Sequence, residues 1–297
     1  MKLMEGVITP IVTPFNYDKN QTVNNIELKR LIDYLIGHGI NGIFALGTNG
    51  EFHVMEYKEK IDFVSSVIEA TNNRVPVYGN VGSCSLKESI SLATEMEKLG
   101  VHAITSVAPY FVQLNDDEMY DFFYEIATSV NIPLIVYNIP KFTGYNISPL
   151  LVKRLVGANI GVKGIKDSSG DMELFEKYAE ISKDYDFKVM VGSDSKITSA
   201  FHLGATACVA GTSNLITDTI VSLWNALEKE DGISKKLQND IEVLRKTLAL
   251  GTQPSVIKKG IELSSIALVG AARKPIQEPD ENISIQINEM LQYFDLI

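Results

Sequence analysis

Eight short runs rich in β-branched residues recur along the chain, from "GVITPIVT" (6–13) through "GIFALGT", "VPVYGNVG", "AITSVAP", "PLIVYNIP", "IGVKGIKD" and "FKVMVGSD" to "ATACVAGTS" (205–213). Between them lie amphipathic helical stretches such as "NNIELKRLIDYLIGHG" and "LKESISLATEMEKLG", several ended by Gly or Asn. Strand and helix alternating eight times require parallel strands, because each strand is carried back to the same end by a crossover helix. Closing such units on themselves gives an α/β fold, a (β/α)8 TIM barrel. After about Leu223 the pattern changes to helices only. The expected organisation is a catalytic barrel over 1–223 and a C-terminal helical extension over 224–297, packed on the barrel as a cap with no catalytic part.

A length of 297 residues suits one such barrel with an addition. The net charge is -10, and the 27 basic residues are scattered among 37 acidic ones with no Lys/Arg block, which argues against nucleic acid or an anionic membrane as partner. No run approaches the apolar length of a membrane span, and the N-terminal "MKLMEGVITPIVTPF" holds no long apolar stretch of a leader. Cys84 and Cys208 form no metal-type spacing and no disulfide framework; they read as buried or half-buried thiols in a reducing compartment, so a cytoplasmic location is expected. The four histidines, His38, His53, His102 and His202, are widely separated and form no local ligand motif, which disfavours a metal-dependent enzyme.

Chemistry in such a barrel sits at the C-terminal ends of the strands. In the sixth run, alternation places Val162, Gly164 and Lys166 on the barrel-facing side and Lys163 and Ile165 on the other. Lys166 ends the strand, the small Gly164 leaves room beside it, and Lys163 snorkels to the opposite face. A lysine amine attacks a carbonyl only when neutral, and apolar barrel walls favour that state; the expected chemistry is Schiff-base formation with a 2-oxo acid. The plain alternative is an ordinary lysine paired to Asp167. Tyr137 ends the neighbouring fifth run, where a phenol can move a proton, although a tyrosine there often only packs. "GTNGE" (47–51) ends the second run; its glycines let the backbone turn sharply and aim amides at an anion, and Thr48 adds a hydroxyl. A Gly-rich turn there can equally be a plain connection. "AGTSN" after the eighth run allows a phosphate site, but also a pocket wall of small residues, and no glycine-rich loop after strand seven accompanies it.

Taken together, "GTNGE", "YNIP" followed by "TG", and "GIKDSSGD" resemble, in order and spacing, the dihydrodipicolinate synthase and N-acetylneuraminate lyase family of pyruvate-dependent class I aldolases. The resemblance runs over nearly the whole chain. It implies Lys166 as the Schiff-base lysine, Tyr137 as acid and base, and Thr48 with the backbone of Asn49 as the holder of the pyruvate carboxylate. It further implies Gly192 and Ala210 as pocket lining, no cofactor and no metal, and a homotetramer built from tight dimers. Three positions depart from the family pattern. Asn49 stands where many members carry a second Thr or Ser, and Phe111 replaces a tyrosine that reaches a neighbouring subunit's site, with Tyr110 beside it as a partial substitute. Phe142 stands where the synthases place an arginine that grips the second substrate's carboxylate. Lys141 offers weak rescue, because successive residues after a strand usually point in different directions.

On these residues the expected activity is cleavage or formation of a hydroxylated 2-oxo acid from pyruvate and an aldehyde. Candidate substrates are a 2-oxo-3-deoxy sugar acid, 4-hydroxy-2-oxoglutarate or N-acetylneuraminate, preferred over synthesis of 4-hydroxy-tetrahydrodipicolinate because Phe142 brings no donor. A catalytically silent 2-oxo-acid-binding regulator is the reading of another class, kept open by Asn49 and Phe111.

Overall fold

Eight parallel strands close into a barrel in which each strand pairs with the next and β1 pairs with β8; the computed structural model describes residues 2–297. The strands are β1 Gly6–Pro10, β2 Gly42–Ala45, β3 Val77–Asn80, β4 Ala103–Val107, β5 Leu134–Asn138, β6 Val162–Asp167, β7 Lys188–Val191 and β8 Ala207–Val209. Each is shorter than the apolar run that announces it. In "GVITPIVT" pairing stops at Pro10, and the rest of the run is buried loop above the barrel rim.

The helices around the barrel are α1 Asn25–Gly37, α2 Tyr57–Thr71, α3 Leu86–Leu99, α4 Asp116–Thr128, the single turn α5 Pro140–Thr143, α6 Pro149–Gly157, α7 Met172–Asp184, α8 Ile197–His202 and α9 Thr217–Glu228. Local chemistry sets their ends. The Asn115 side chain accepts from the Asp117 and Glu118 amides while Glu118 reaches back, a reciprocal cap that starts α4. Ser148 caps α6, whose first residue is Pro149, where a missing N–H costs nothing. Gly100 ends α3 at a φ of 86°, in the left-handed region that glycine enters without strain.

Three further helices follow, α10 Ser234–Leu248, α11 Ser255–Leu263 and α12 Glu281–Tyr293. They bury Leu244, Ile257, Ile261, Ile287 and Leu291 against the barrel and each other. A buried ion pair fastens this region: Lys258 of α11 donates to Glu51 at 3.1 Å and to the carbonyls of Thr13 and Ala271, each at 2.9 Å. The second oxygen of Glu51 accepts from the Arg273 amide at 2.7 Å. Burial holds the Lys258 ammonium down at about 8. No helix among the described residues is long and apolar enough to cross a membrane.

Candidate active site

Lys166 and Tyr137 are register partners across β6 and β5, so their side chains leave the same face side by side. Both are 3 % exposed. The Lys166 Nζ lies 3.9 Å from the centre of the Tyr137 ring and 4.3 Å from that of Phe44 on β2. Those two rings meet edge to face at 5.9 Å. The amine thus stands between two aromatic rings, whose faces attract a protonated imine formed at the same place.

The pairing of Lys166 with Asp167 does not occur. Alternation turns Asp167 to the other side of β6, where Asn138 Nδ2 donates to it at 2.7 Å and Ser169 contributes its hydroxyl at 2.8 Å and its amide at 3.2 Å. Burial pushes the Asp167 carboxyl up. Lys163 behaves as alternation predicts, reaching Asp186 at 2.9 Å on the opposite face.

The room beside the lysine comes from a different glycine than expected. A Cβ on Gly164 would meet Met4 Sδ at 2.9 Å and the Lys188 carbonyl at 3.0 Å, so that space is already filled. A Cβ on Gly192 would lie 2.9 Å from Lys166 Cε and 2.1 Å from Ser168 Oγ. Gly192 lines the cavity, though its amide is committed to the Asp167 carbonyl at 2.7 Å.

Thr48 and Asn49 line the same cavity. Among the described residues, neither of their main-chain N–H groups is engaged in a hydrogen bond within the chain. The sharp turning of this loop falls on Leu46 and Glu51, at φ values of 58° and 59°, and not on its glycines. Gly47 and Gly50 serve close approach instead: a Cβ would lie 3.0 Å from the Phe44 ring at the first and 3.2 Å from the Ile11 carbonyl at the second. The Asn49 side chain accepts a short hydrogen bond from Gln253, just ahead of α11.

The cavity, of about 610 Å³, continues upward between the strand ends and the C-terminal region. Arg245, Leu248, Gly251, Thr252 and Gln253 line it, so the helical region is part of the site and not only a cap. Lys141 and Phe142 both line the rim, with the Lys141 Nζ 5.4 Å from the Phe142 ring centre. The expected divergence of these two side chains fails because α5 is a helical turn and not a continuation of the strand. At the end of β8 it is Val209, and beyond the strand Gly211, that line the cavity; Ala210 between them is 1 % exposed and does not, just before the short helical turn Gly211–Asn214. Buried Asp194, unforeseen in the sequence, stabilises that turn by accepting from the Gly211 and Thr212 amides at 3.2 and 2.9 Å, and burial pushes its carboxyl up.

Tyr110 does not line the cavity; its carbonyl accepts from the Cys84 thiol at 3.0 Å, and burial pushes its phenol up. Cys84 is exposed, contrary to expectation, because it lies in the loop ahead of α3; Cys208 on β8 is buried. Phe111 is 98 % exposed at a φ of 80°, a strained setting for a bulky side chain.

The sequence profile of the Dihydrodipicolinate synthetase family matches residues 3–293. Among named relatives, the 4-hydroxy-tetrahydrodipicolinate synthase of Archaeoglobus fulgidus is 32 % identical over 296 residues, covering 99 % of this chain and all of its own. That of Thermodesulfovibrio yellowstonii is 30 % identical over 300 residues, with 99 % and 100 % covered. Among solved structures, YagE from E. coli K12, a prophage protein of the dihydrodipicolinic acid synthase family in complex with pyruvate, superposes with a TM-score of 0.94 at 26 % identity, covering both chains fully. A monomeric dihydrodipicolinate synthase variant superposes at 0.93 with 26 % identity over 99 % and 98 % of the two chains. The chain belongs to the dihydrodipicolinate synthetase family, whose pyruvate-dependent carbon–carbon lyases share this barrel.

Proposed function

We propose that this chain joins or parts pyruvate and an aldehyde through an imine on Lys166, with no cofactor. The observation that carries the reading is the register pair of Tyr137 and Lys166 at the open end of the barrel, a phenol and an amine converging on one cavity. The neutral Nζ attacks C2 of pyruvate, and the oxygen leaves as water to give a protonated imine. Tyr137 gives its proton to the departing water, and its phenolate then takes a proton from C3, whose electrons flow to the imine and give the enamine. C3 then attacks the aldehyde carbon, the aldehyde oxygen takes its proton from Tyr137, and hydrolysis of the imine frees the lysine. The reverse sequence cleaves a hydroxylated 2-oxo acid. The free amides of Thr48 and Asn49 support a carboxylate seat there.

For the aldehyde, the name shared by the relatives supports aspartate semialdehyde and so the synthesis of 4-hydroxy-tetrahydrodipicolinate. This reverses the preference drawn from Phe142 alone, whose ring offers a carboxylate no donor. Cleavage of a deoxy sugar acid or 4-hydroxy-2-oxoglutarate is the second reading, and Phe142 is the residue that favours it. The exposed Phe111 supports a subunit contact within a homotetramer, and the two free cysteines support a cytoplasmic setting. In this reading the catalytic barrel runs to the end of α9 at Glu228, because the expected boundary at 223 falls inside that helix, and the residues after it form the helical region that closes the cavity.

The test is kcat/KM for aspartate semialdehyde with pyruvate against the deoxy sugar acids, 4-hydroxy-2-oxoglutarate and N-acetylneuraminate. The semialdehyde should lead. A sugar acid in first place would establish the second reading, and a pyruvate adduct without turnover of any of them would mark a silent binding protein.

A further inference from the structure

The cavity is lined by three cationic side chains, Lys166, Lys141 and Arg245, and by one carboxylate, Asp194. Asp194 accepts from the two amides of the turn after β8, and the Arg245 charge lies near enough to oppose the upward push of burial on its carboxyl. In a chain of net charge -10 the cavity therefore carries a local excess of positive charge, the arrangement that concentrates anions. Lys166 is assigned to the imine, and Lys141 lies against the Phe142 ring at the rim.

Arg245 has no such assignment. It projects from the last turn of α10, and its Nε is buried without a hydrogen-bond partner. Its one ion-pair contact among the described residues is Glu242, one turn back on the same helix, with Oε2 3.6 Å from that Nε, too far for a hydrogen bond. The side chain as a whole is 38 % exposed, so the unmet donor is the Nε alone; a buried N–H without an acceptor is unfavourable, and an anion reaching it from the cavity removes that penalty. The planar fork also offers two parallel N–H groups to a carboxylate or phosphate, which the Phe142 ring on the rim cannot do.

We infer that Arg245 grips a second anionic group, a carboxylate or a phosphate, on the aldehyde-derived end of the substrate and so makes the enzyme selective for anionic over neutral aldehydes. This rests on the imine reading and names the partner class for the same site. The grip comes from the helical region, so α10 takes part in substrate choice while the barrel carries the chemistry.

Borohydride trapping separates the two claims. Pyruvate, 2-oxoglutarate and 2-oxopentanoate are each titrated against the wild type, Arg245→Leu and Arg245→Gln, and the concentration for half-maximal adduct on Lys166 is read by mass spectrometry. The wild type should trap 2-oxoglutarate at about 10- to 100-fold lower concentration than the matched monocarboxylate. Both variants should lose that difference, read as the ratio of the two half-maximal concentrations within each variant. Discrimination that survives both substitutions, or is missing from the wild type, overturns the assignment of Arg245. Absence of any pyruvate adduct on Lys166 sinks the imine reading instead. Turnover with pyruvate then distinguishes the anions. A variant's loss confined to aspartate semialdehyde assigns a carboxylate, a loss confined to glyceraldehyde 3-phosphate assigns a phosphate, and an equal loss for neutral glyceraldehyde refutes the grip.

Discussion

Replacing Gly192 with alanine should damage the chemistry more than the fold. The added Cβ would sit 2.1 Å from Ser168 Oγ and 2.9 Å from Lys166 Cε, against the 3.4 Å at which ordinary contact begins. Ser168 can turn its hydroxyl away about a single bond. The lysine has to retreat by about half an ångström, and it stands between the Phe44 and Tyr137 rings with little room to do so. A displacement of that size at a group that must meet a carbonyl carbon in line should slow imine formation about 10- to 100-fold. Overpacking should cost about 1–3 kcal/mol of stability. Gly164→Ala is the control: its Cβ meets Met4 Sδ and the Lys188 carbonyl, so it should cost similar stability while leaving the trapping rate near that of the wild type. The assay is the rate of the borohydride-trapped pyruvate adduct at saturating pyruvate, set beside urea unfolding of both variants. Wild-type trapping by Gly192→Ala, or equal slowing by Gly164→Ala, would refute the role given to Gly192.

Tyr137→Phe should lower kcat and kcat/KM together by about 10²- to 10⁴-fold while pyruvate still forms its adduct; near-normal turnover would leave the tyrosine a packing residue. Lys258→Met removes one partner of a buried pair and leaves Glu51, fully buried, without its cation; urea unfolding should show a loss of about 3–5 kcal/mol, with much of it regained when Glu51→Gln is added. Equal losses in the single and double variants would contradict a paired charge there.

The barrel was legible because parallel strands, buried on both faces, write themselves as short apolar runs between amphipathic helices. Lys166 and Tyr137 were legible for a related reason: both fall where such a run gives way to a loop. Their register partnership was not, since pairing across β5 and β6 depends on the stagger of the closed barrel and includes an irregularity between Leu134 and Ile135. Gly164 and Gly192 could not be told apart by alternation alone, because which glycine flanks a lysine is decided by the neighbouring strand. Ala210 came from the resemblance and not from alternation, which by itself puts Val209 and Gly211 on the cavity side; Lys141 reaches the rim because α5 is a helical turn. Arg245 carried no signal at all. It reaches the cavity only because α10 and α11 fold back over the strand ends, which local patterning does not encode.

Incubation of the enzyme with pyruvate and borohydride, followed by peptide mapping, bears most directly on the chemistry proposed for this barrel. One adduct per chain, located on Lys166, is the expected result. An adduct on Lys163, which is turned outward to Asp186, or no adduct at any lysine, would contradict it.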